Sequence, residues 1–242
     1  MKQATKILKS SVLQIYRDQM LLMLFFSPFL IGIIMRILVP FADKLITKYL
    51  QFSIKPYYIL ADATTLVMGA MMIGMMVGLL MLDERDDGIA IYYSVTPTGG
   101  LNYLLSRLLL PLIYSSISII IIMTFATLSD IGYPWFFAPA IISAFNGVLA
   151  SMLLVSIASN KVEGLAVSKL LGLMCCGIPL AWFSTQHLKI FGYLLPTYWI
   201  TDMLIHANDN NITNYLFDFL IGTLCVFTWI YALYGIFCKR IR

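Results

Sequence analysis

The chain has 242 residues, of which 60% are hydrophobic and only 12% are charged. Soluble domains are about half apolar and about a quarter charged, so this composition excludes an ordinary soluble globule and predicts that a bilayer surrounds most of the chain. The net charge of +4 is modest and the basic residues form no stripe, so we expect no nucleic-acid partner.

The N-terminal segment 3–18 has an amphipathic pattern. Ile7, Leu8 and Ile15 share one face at helical spacing. The opposite face carries the lysines Lys2, Lys6 and Lys9. This pattern is typical of a helix that lies in the headgroup region with its lysines attracted to anionic membrane lipid. We therefore predict an interfacial helix before the first membrane span.

Six apolar segments follow, and each is close to or above the roughly 20 residues that a helix needs to cross the hydrocarbon. They are residues 20–40, 58–82, 101–128, 136–158, 165–184 and 215–237. Backbone groups in lipid must be hydrogen-bonded within the segment, so all six are predicted to be α-helices, with bends at Pro111 and Pro179. Residues 1–242 are therefore predicted to form one all-α integral membrane domain.

The basic residues assign each connection to a side of the membrane. With the N-terminus in the cytoplasm, eleven of the 16 Lys and Arg residues fall inside. The inside group is Lys2, Lys6, Lys9, Arg17, Arg85, Arg107, Lys161, Lys169, Lys239, Arg240 and Arg242. The outside group is Arg36, Lys44, Lys48, Lys55 and Lys189. This bias predicts a multi-pass protein of the plasma membrane with both termini in the cytoplasm.

The segment 185–214, between the fifth and sixth spans, is too apolar for a plain solvated loop. Tyr193, Tyr198 and Trp199 are amphipathic aromatic residues of the kind found at membrane interfaces. We predict one or two short re-entrant helices in the outer leaflet, separated at Pro196.

The connection 83–107 carries the most informative functional pattern. It starts with a dense charge cluster, DERDD, at residues 83–87, and after a short apolar run it breaks at Thr96-Pro97. Simple inner loops favour Lys and Arg, whereas this one is acidic. We predict a short helix over 84–95, because acidic residues are favoured at a helix N-terminus. With its charged start and its apolar body, such a helix suits docking to a partner protein. A solvated loop with no partner is the open alternative.

At these residues the sequence resembles the class-two permeases of ATP-binding cassette exporters. In that family an acidic residue and a glycine follow the second span, then a Thr-Pro pair, then a basic residue early in the third span. Here these are Glu84, Gly88, Thr96, Pro97 and Arg107. The connection 159–169, with Glu163 and Gly164, and the Leu-Pro-Thr-Tyr-Trp stretch at 195–199 are also similar to the family. Permeases for fluoroquinolone or bacteriocin export are the subfamily that it resembles most.

The resemblance implies a half-transporter of a bacterial membrane that moves an amphipathic drug, peptide or lipid-like substrate out of the cell. Two permease copies would pair, each with a separate ATPase subunit that holds ATP and Mg. This chain has no GxxxxGK[ST] loop and no catalytic residue of its own. The residues implied to couple the ATPase to the spans are Glu84, Arg85, Asp86, Gly88, Thr96, Pro97, Glu163 and Gly164. An outer gate is implied at Pro196, Tyr198 and Trp199.

The second span has a stripe of methionines and a face of small residues. The stripe consists of Met68, Met71, Met72, Met75 and Met76. Ala70, Gly74 and Gly78 are four apart on another face, where small residues allow close contact between helices. Because methionine adapts to varied apolar shapes, the stripe is a candidate substrate route. Methionines that face lipid or serve ordinary packing are the open alternative.

Two charged residues fall within the apolar spans. Arg36 is about 24 Å into the first span at 1.5 Å per residue, and Asp62 starts the second span from the same side. Either the two form an ion pair, or each side chain reaches the headgroups alone. The two histidines, His187 and His206, do not make a metal site without further ligands, so none is predicted.

Two other classes of function were weighed against the exporter permease. A membrane immunity or binding protein would sequester an antimicrobial peptide without transport, but sequestration needs no docking helix. An intramembrane enzyme would need paired acidic residues or histidines in mid-membrane, and the spans contain none.

Overall fold

The computed structural model describes residues 15–88 and 99–241, and these residues form helices without any strand. The helices are α1 (Gln19–Leu50), α2 (Tyr58–Asp86), α3 (Gly99–Ala126), α4 (Phe137–Ile157), α5 (Lys161–Val167), α6 (Lys169–Met174), α7 (Gly177–Phe183), α8 (Gln186–Tyr193), α9 (Pro196–Asn208) and α10 (Ile212–Ile241). Six helical stretches in this part of the chain are long and apolar enough to cross a membrane. The predicted all-α membrane fold is therefore confirmed.

Two predicted segments lie largely outside the described residues. They are residues 3–14 of the interfacial helix and residues 89–95 of the 84–95 helix, and the Thr96-Pro97 pair lies outside as well. The described part of the first segment ends at Asp18, which caps α1 by accepting a hydrogen bond from the Met20 N–H at 2.8 Å.

The first span is longer than predicted, because α1 continues past Pro40 to Leu50. Its 32 residues extend about 48 Å, whereas the hydrocarbon is roughly 30 Å thick, so one end of α1 must project beyond it. The projecting end is anchored by Asp43, which is buried and accepts hydrogen bonds from the Ile54 N–H at 2.7 Å and the Tyr58 hydroxyl at 3.2 Å. This carboxylate therefore holds the connection between α1 and α2 against the end of α1.

The fifth span is broken into three short helices, α5 to α7, rather than the single bent helix predicted over 165–184. Around Cys175 and Cys176 the backbone hydrogen bonds shorten to three-residue spacing, from the Cys176 N–H to Leu173 and from the Ile178 N–H to Cys175. Pro179 explains the break, because it has no N–H and its ring crowds the carbonyl four residues earlier, which is that of Cys175.

The core of the bundle is the contact between α2 and α4, which are mostly buried, whereas α1 and α10 lie at the periphery. A Cβ added at Gly74 would meet the Gly147 carbonyl, and one added at Gly78 would meet the Leu154 side chain at 2.8 Å. The small-residue face of the second span therefore packs on α4.

Helices α8 and α9 form the segment between the fifth and sixth spans, and Pro196 separates them as predicted by starting α9. Tyr198 and Trp199 on α9 are buried, and Tyr193 at the end of α8 stacks on Trp199 with ring centroids 5.3 Å apart. The Trp199 indole N–H donates to the Tyr193 carbonyl at 3.0 Å. These aromatic residues pack the segment against the bundle.

We expect Gly74→Ala to lower the free energy of unfolding by about 1–3 kcal/mol, because the added methyl group is forced into the α4 backbone. Gly235→Ala on α10 is the matched control: its added Cβ meets nothing within 4 Å, so stability should stay the same or rise by up to about 1 kcal/mol. Thermal unfolding of the detergent-purified variants measures both. Equal stability of the two variants would contradict the close α2–α4 contact.

Candidate functional site

Two charged connections meet at one end of the bundle, where α2 and α4 end and α3 and α5 begin; we call this the charged end. Lys161, the first residue of α5, joins them. Its ammonium group lies 2.7 Å from Asp18 and 2.6 Å from Asp83, and its backbone N–H donates to Asp86 at 3.0 Å. The connection at 159–169 is therefore held directly on the DERDD cluster.

The Lys161 ammonium also acts on the acidic residue that precedes α1. Through its hydrogen bond, Lys161 holds the pKa of Asp18 below the usual value of a carboxyl group, with the Met20 and Leu21 backbone N–H groups adding to the effect. Asp18 therefore stays ionised at neutral pH and ties the start of the first span to the charged end.

A buried ion pair lies just inside the charged end. The guanidinium of Arg107 on α3 contacts the carboxylate of Glu84 on α2, and both side chains are only 1% exposed. The Tyr103 hydroxyl donates to the same carboxylate at 2.5 Å. Glu84 was predicted to be a coupling residue within a docking helix, but its side chain faces the interior and cannot touch a partner protein.

Arg85 points to the end of α4. Its guanidinium donates to the Ala158 carbonyl at 3.0 Å and the Val155 carbonyl at 3.3 Å. These carbonyls are at the C-terminal end of a helix, where the backbone lacks intrahelical donors and a positive charge is favoured. Arg85 therefore fastens α2 to α4 at the charged end.

Glu163 and Gly164, which the family resemblance singled out, both have a local structural role. Asn160 accepts a hydrogen bond from the Glu163 N–H at 2.8 Å, and the Glu163 carboxylate accepts from the Ser159 N–H at 2.6 Å, a reciprocal arrangement like a capping box. A Cβ at Gly164 would collide with the Leu82 side chain. The start of α5 is thus capped and pressed against α2.

Asp86, Asp87 and Gly88 bring the chain out of α2. The two aspartates are exposed, and Gly88 has a φ of +72°, a left-handed conformation that glycine adopts without strain. Two exposed carboxylates therefore lie where the chain leaves α2.

Arg36 and Asp62 do not pair with each other, so that alternative is corrected. Arg36 donates to the Phe125 carbonyl near the end of α3. Asp62 is buried and accepts hydrogen bonds from the Leu128 and Ser129 N–H groups, each at 2.9 Å. Both side chains satisfy main-chain groups where α3 ends, and such groups have no partner within the helix.

The methionine stripe is divided between a groove and the core. Four of its members line a groove of about 270 Å³ between α2 and the fifth span, whereas Met76 is fully buried. The four are Met68, Met71, Met72 and Met75. Ser168, Lys169, Gly172 and Cys175 line the facing side.

The sequence did not reveal the partners of these charges. Arg107 is eight residues into α3, about 12 Å along the axis, and a basic residue that deep needs a partner. Glu84 approaches the same end from α2, so depth counting on both helices could have found the pair. The role of Lys161 had no such signal, because it depends on how the two connections face each other.

Loss of one partner from the buried pair should be costly. We expect Glu84→Gln to lower the free energy of unfolding by about 3–5 kcal/mol, since it removes the carboxylate charge that faces the Arg107 guanidinium in the interior. The double variant Glu84→Met with Arg107→Met should recover part of this loss. Asp87→Asn, at an exposed position three residues away, should stay within about 0.5 kcal/mol of the wild type. Thermal unfolding in detergent measures all three, and a harmless Glu84→Gln would contradict the pair.

Comparison of the sequence with known proteins finds similarity to export permeases. A family model described as "Fluoroquinolones export permease protein Rv2686c-like" matches residues 11–234. Two proteins of Mycobacterium tuberculosis, the fluoroquinolones export permease proteins MT2760 (strain CDC 1551 / Oshkosh) and Rv2686c (strain ATCC 25618 / H37Rv), are each 25% identical over 198 residues, which cover 81% of this chain and 79% of theirs. No solved structure matches the chain.

The match over residues 11–234 includes the first five spans, most of the sixth and both charged connections. It confirms the resemblance to exporter permeases. The chain belongs to the Rv2686c-like family of fluoroquinolone export permeases.

Proposed function

We propose that this chain is the membrane half of an ATP-driven drug exporter of the bacterial plasma membrane. Two copies pair, and each binds one copy of a separate ATPase subunit that holds ATP and Mg. The charged end faces the cytoplasm and receives the ATPase, and the substrate is an amphipathic drug of the fluoroquinolone kind. Two observations support the proposal together. Lys161 ties the two charged connections to each other by ion pairs, and the chain belongs to a family of export permeases.

The charged end supports docking because its rigid and exposed parts lie side by side. Lys161, Arg85 and the Glu84–Arg107 pair hold the ends of α2 to α5 as one unit. Asp86 and Asp87 are exposed at the rim of this unit. The rest of the proposed 84–95 coupling segment follows these residues in the chain, so a displacement imposed by a partner on it would reach α2 and α3 together.

The groove between α2 and the fifth span is the proposed substrate route. Its methionines offer a flexible apolar wall that accepts varied ring systems. Lys169 on the facing side offers one positive charge, which suits an amphipathic molecule that carries an acidic group. An aromatic drug that carries a carboxylate has these properties.

The aromatic residues of α9 are proposed to close the opposite, extracellular end. Pro196 starts the helix, and Tyr198 and Trp199 are buried. Gly177 on α7 makes room for the α9 backbone at Tyr198, and Gly222 on α10 makes room for the Trp199 side chain. An outer gate built this way would open only if α9 moves away from both helices.

Purification of the chain with the ATPase subunit encoded beside its gene tests the proposed function. We expect the two subunits to co-purify and a fluoroquinolone to stimulate ATP hydrolysis in the reconstituted complex. A chain that binds the drug or a peptide tightly without any ATPase would instead support sequestration. Absence of both a bound ATPase and drug-stimulated hydrolysis would contradict the exporter.

The groove itself is tested by filling it. We expect Gly172→Leu to reduce drug-stimulated ATP hydrolysis several-fold without lowering the melting temperature, because an added Cβ at Gly172 meets nothing within 4 Å and the side chain extends into the groove. Gly235→Leu is the matched control at another open position, remote from the groove on α10. Equal, unreduced drug stimulation in both variants would remove the groove from the substrate route.

A further inference from the structure

Three side chains with metal-binding atoms converge between α9 and α10. Asp202 and His206 are four residues apart on α9, so they project from one face of the helix. Asp218 projects toward them from α10, and its carboxylate lies 2.6 Å from the Nδ1 atom of His206. One ligand atom from each of the three residues lies within 4.8 Å of the others.

This cluster is not a group of surface acids. The side chain of Asp218 is only 4% exposed and that of His206 is 24% exposed, so the site is shielded but open on one side. The sequence predicted no metal site because the histidines had no further ligands. The fold supplies such ligands, because α10 packs on α9 and buries Asp218 against His206.

The charges around the cluster favour a cation. Two carboxylates meet one imidazole, which supplies at most one positive charge. Among the described residues, no lysine or arginine forms an ion pair within 4 Å of Asp202 or Asp218. A divalent ion would neutralise both carboxylates at once.

We propose that Asp202, His206 and Asp218 form a site for a divalent transition-metal ion, with zinc as its representative. One imidazole nitrogen and two carboxylate oxygens are ligands that zinc accepts, and the fourth position is left for water. Magnesium and calcium prefer all-oxygen sites, so the histidine selects against them. Zinc–ligand distances of about 2.0–2.2 Å require shifts of about 1 Å in these side chains. The ion would clamp α9 to α10.

Zinc binding to the purified full-length chain, stripped with a chelator and held in detergent, tests the site. We expect one ion per chain by calorimetric titration and a rise in melting temperature on zinc addition. His206→Gln should weaken binding by more than the roughly 10–100-fold that follows loss of an outer-shell partner. His187→Gln, which removes the exposed histidine of α8, is the matched control and should bind as the wild type does.

Cobalt separates this site from the four free cysteines, which also bind soft metals. We expect the cobalt spectrum to lack thiolate charge-transfer absorption, and Asp218→Asn to lose the signal while keeping the far-ultraviolet dichroism of the folded chain. Zinc binding that is unchanged in His206→Gln, a thiolate spectrum, or no binding to the wild type would each overturn the site. In the last case His206 and Asp218 form a hydrogen-bonded pair only.

Discussion

The buried ion pair between Glu84 and Arg107 is the interaction on which the arrangement of the charged end depends. Two opposite charges that are 1% exposed can persist next to hydrocarbon only if each satisfies the other. Their pairing fixes where α2 ends relative to where α3 begins. The chain therefore leaves α2 and enters α3 at neighbouring points.

The same constraint organises the opposite end of the bundle. There, Asp62 and Arg36 satisfy backbone groups where α3 ends instead of each other, and Asp43 closes the connection between α1 and α2. The Asp218 carboxylate is hydrogen-bonded to His206. At this end of the bundle, polar side chains thus hold helix ends and connections together. In the middle of the bundle, α2 and α4 are held by a close backbone contact.

This division of roles suits a transporter. A centre that packs backbone against backbone can slide or tilt without breaking a charge pair, whereas the paired charges keep each end intact as a unit. Movement applied at the charged end would pass along α2, the helix that is shared by the ion pair, the small-residue contact and the methionine groove. One helix therefore connects the proposed docking surface to the proposed substrate route.

Much of this fold follows from patterns that are local in the sequence. Apolar length predicted the six spans, Pro196 marked the division of the outer segment, and the spacing of Gly74 and Gly78 indicated a close helix contact. The misses depend on distant neighbours. The extension of α1 to Leu50 is anchored by Asp43 across the following connection. The break near Cys175 is the exception, because it follows from the nearby Pro179, from which only a bend was predicted. Two of the partners of Asp62 are the backbone N–H groups of Leu128 and Ser129, which no side-chain pattern reveals.

Photo-crosslinking in cells tests whether the charged end receives an ATPase. A photoreactive residue replaces Asp87 at the charged end or, as the matched position, the exposed Asp209 at the opposite end. We expect a crosslink from position 87 to a protein with a nucleotide-binding loop, and none from position 209. A nucleotide-binding protein captured from position 209, or none from position 87, would contradict docking of the ATPase at the charged end.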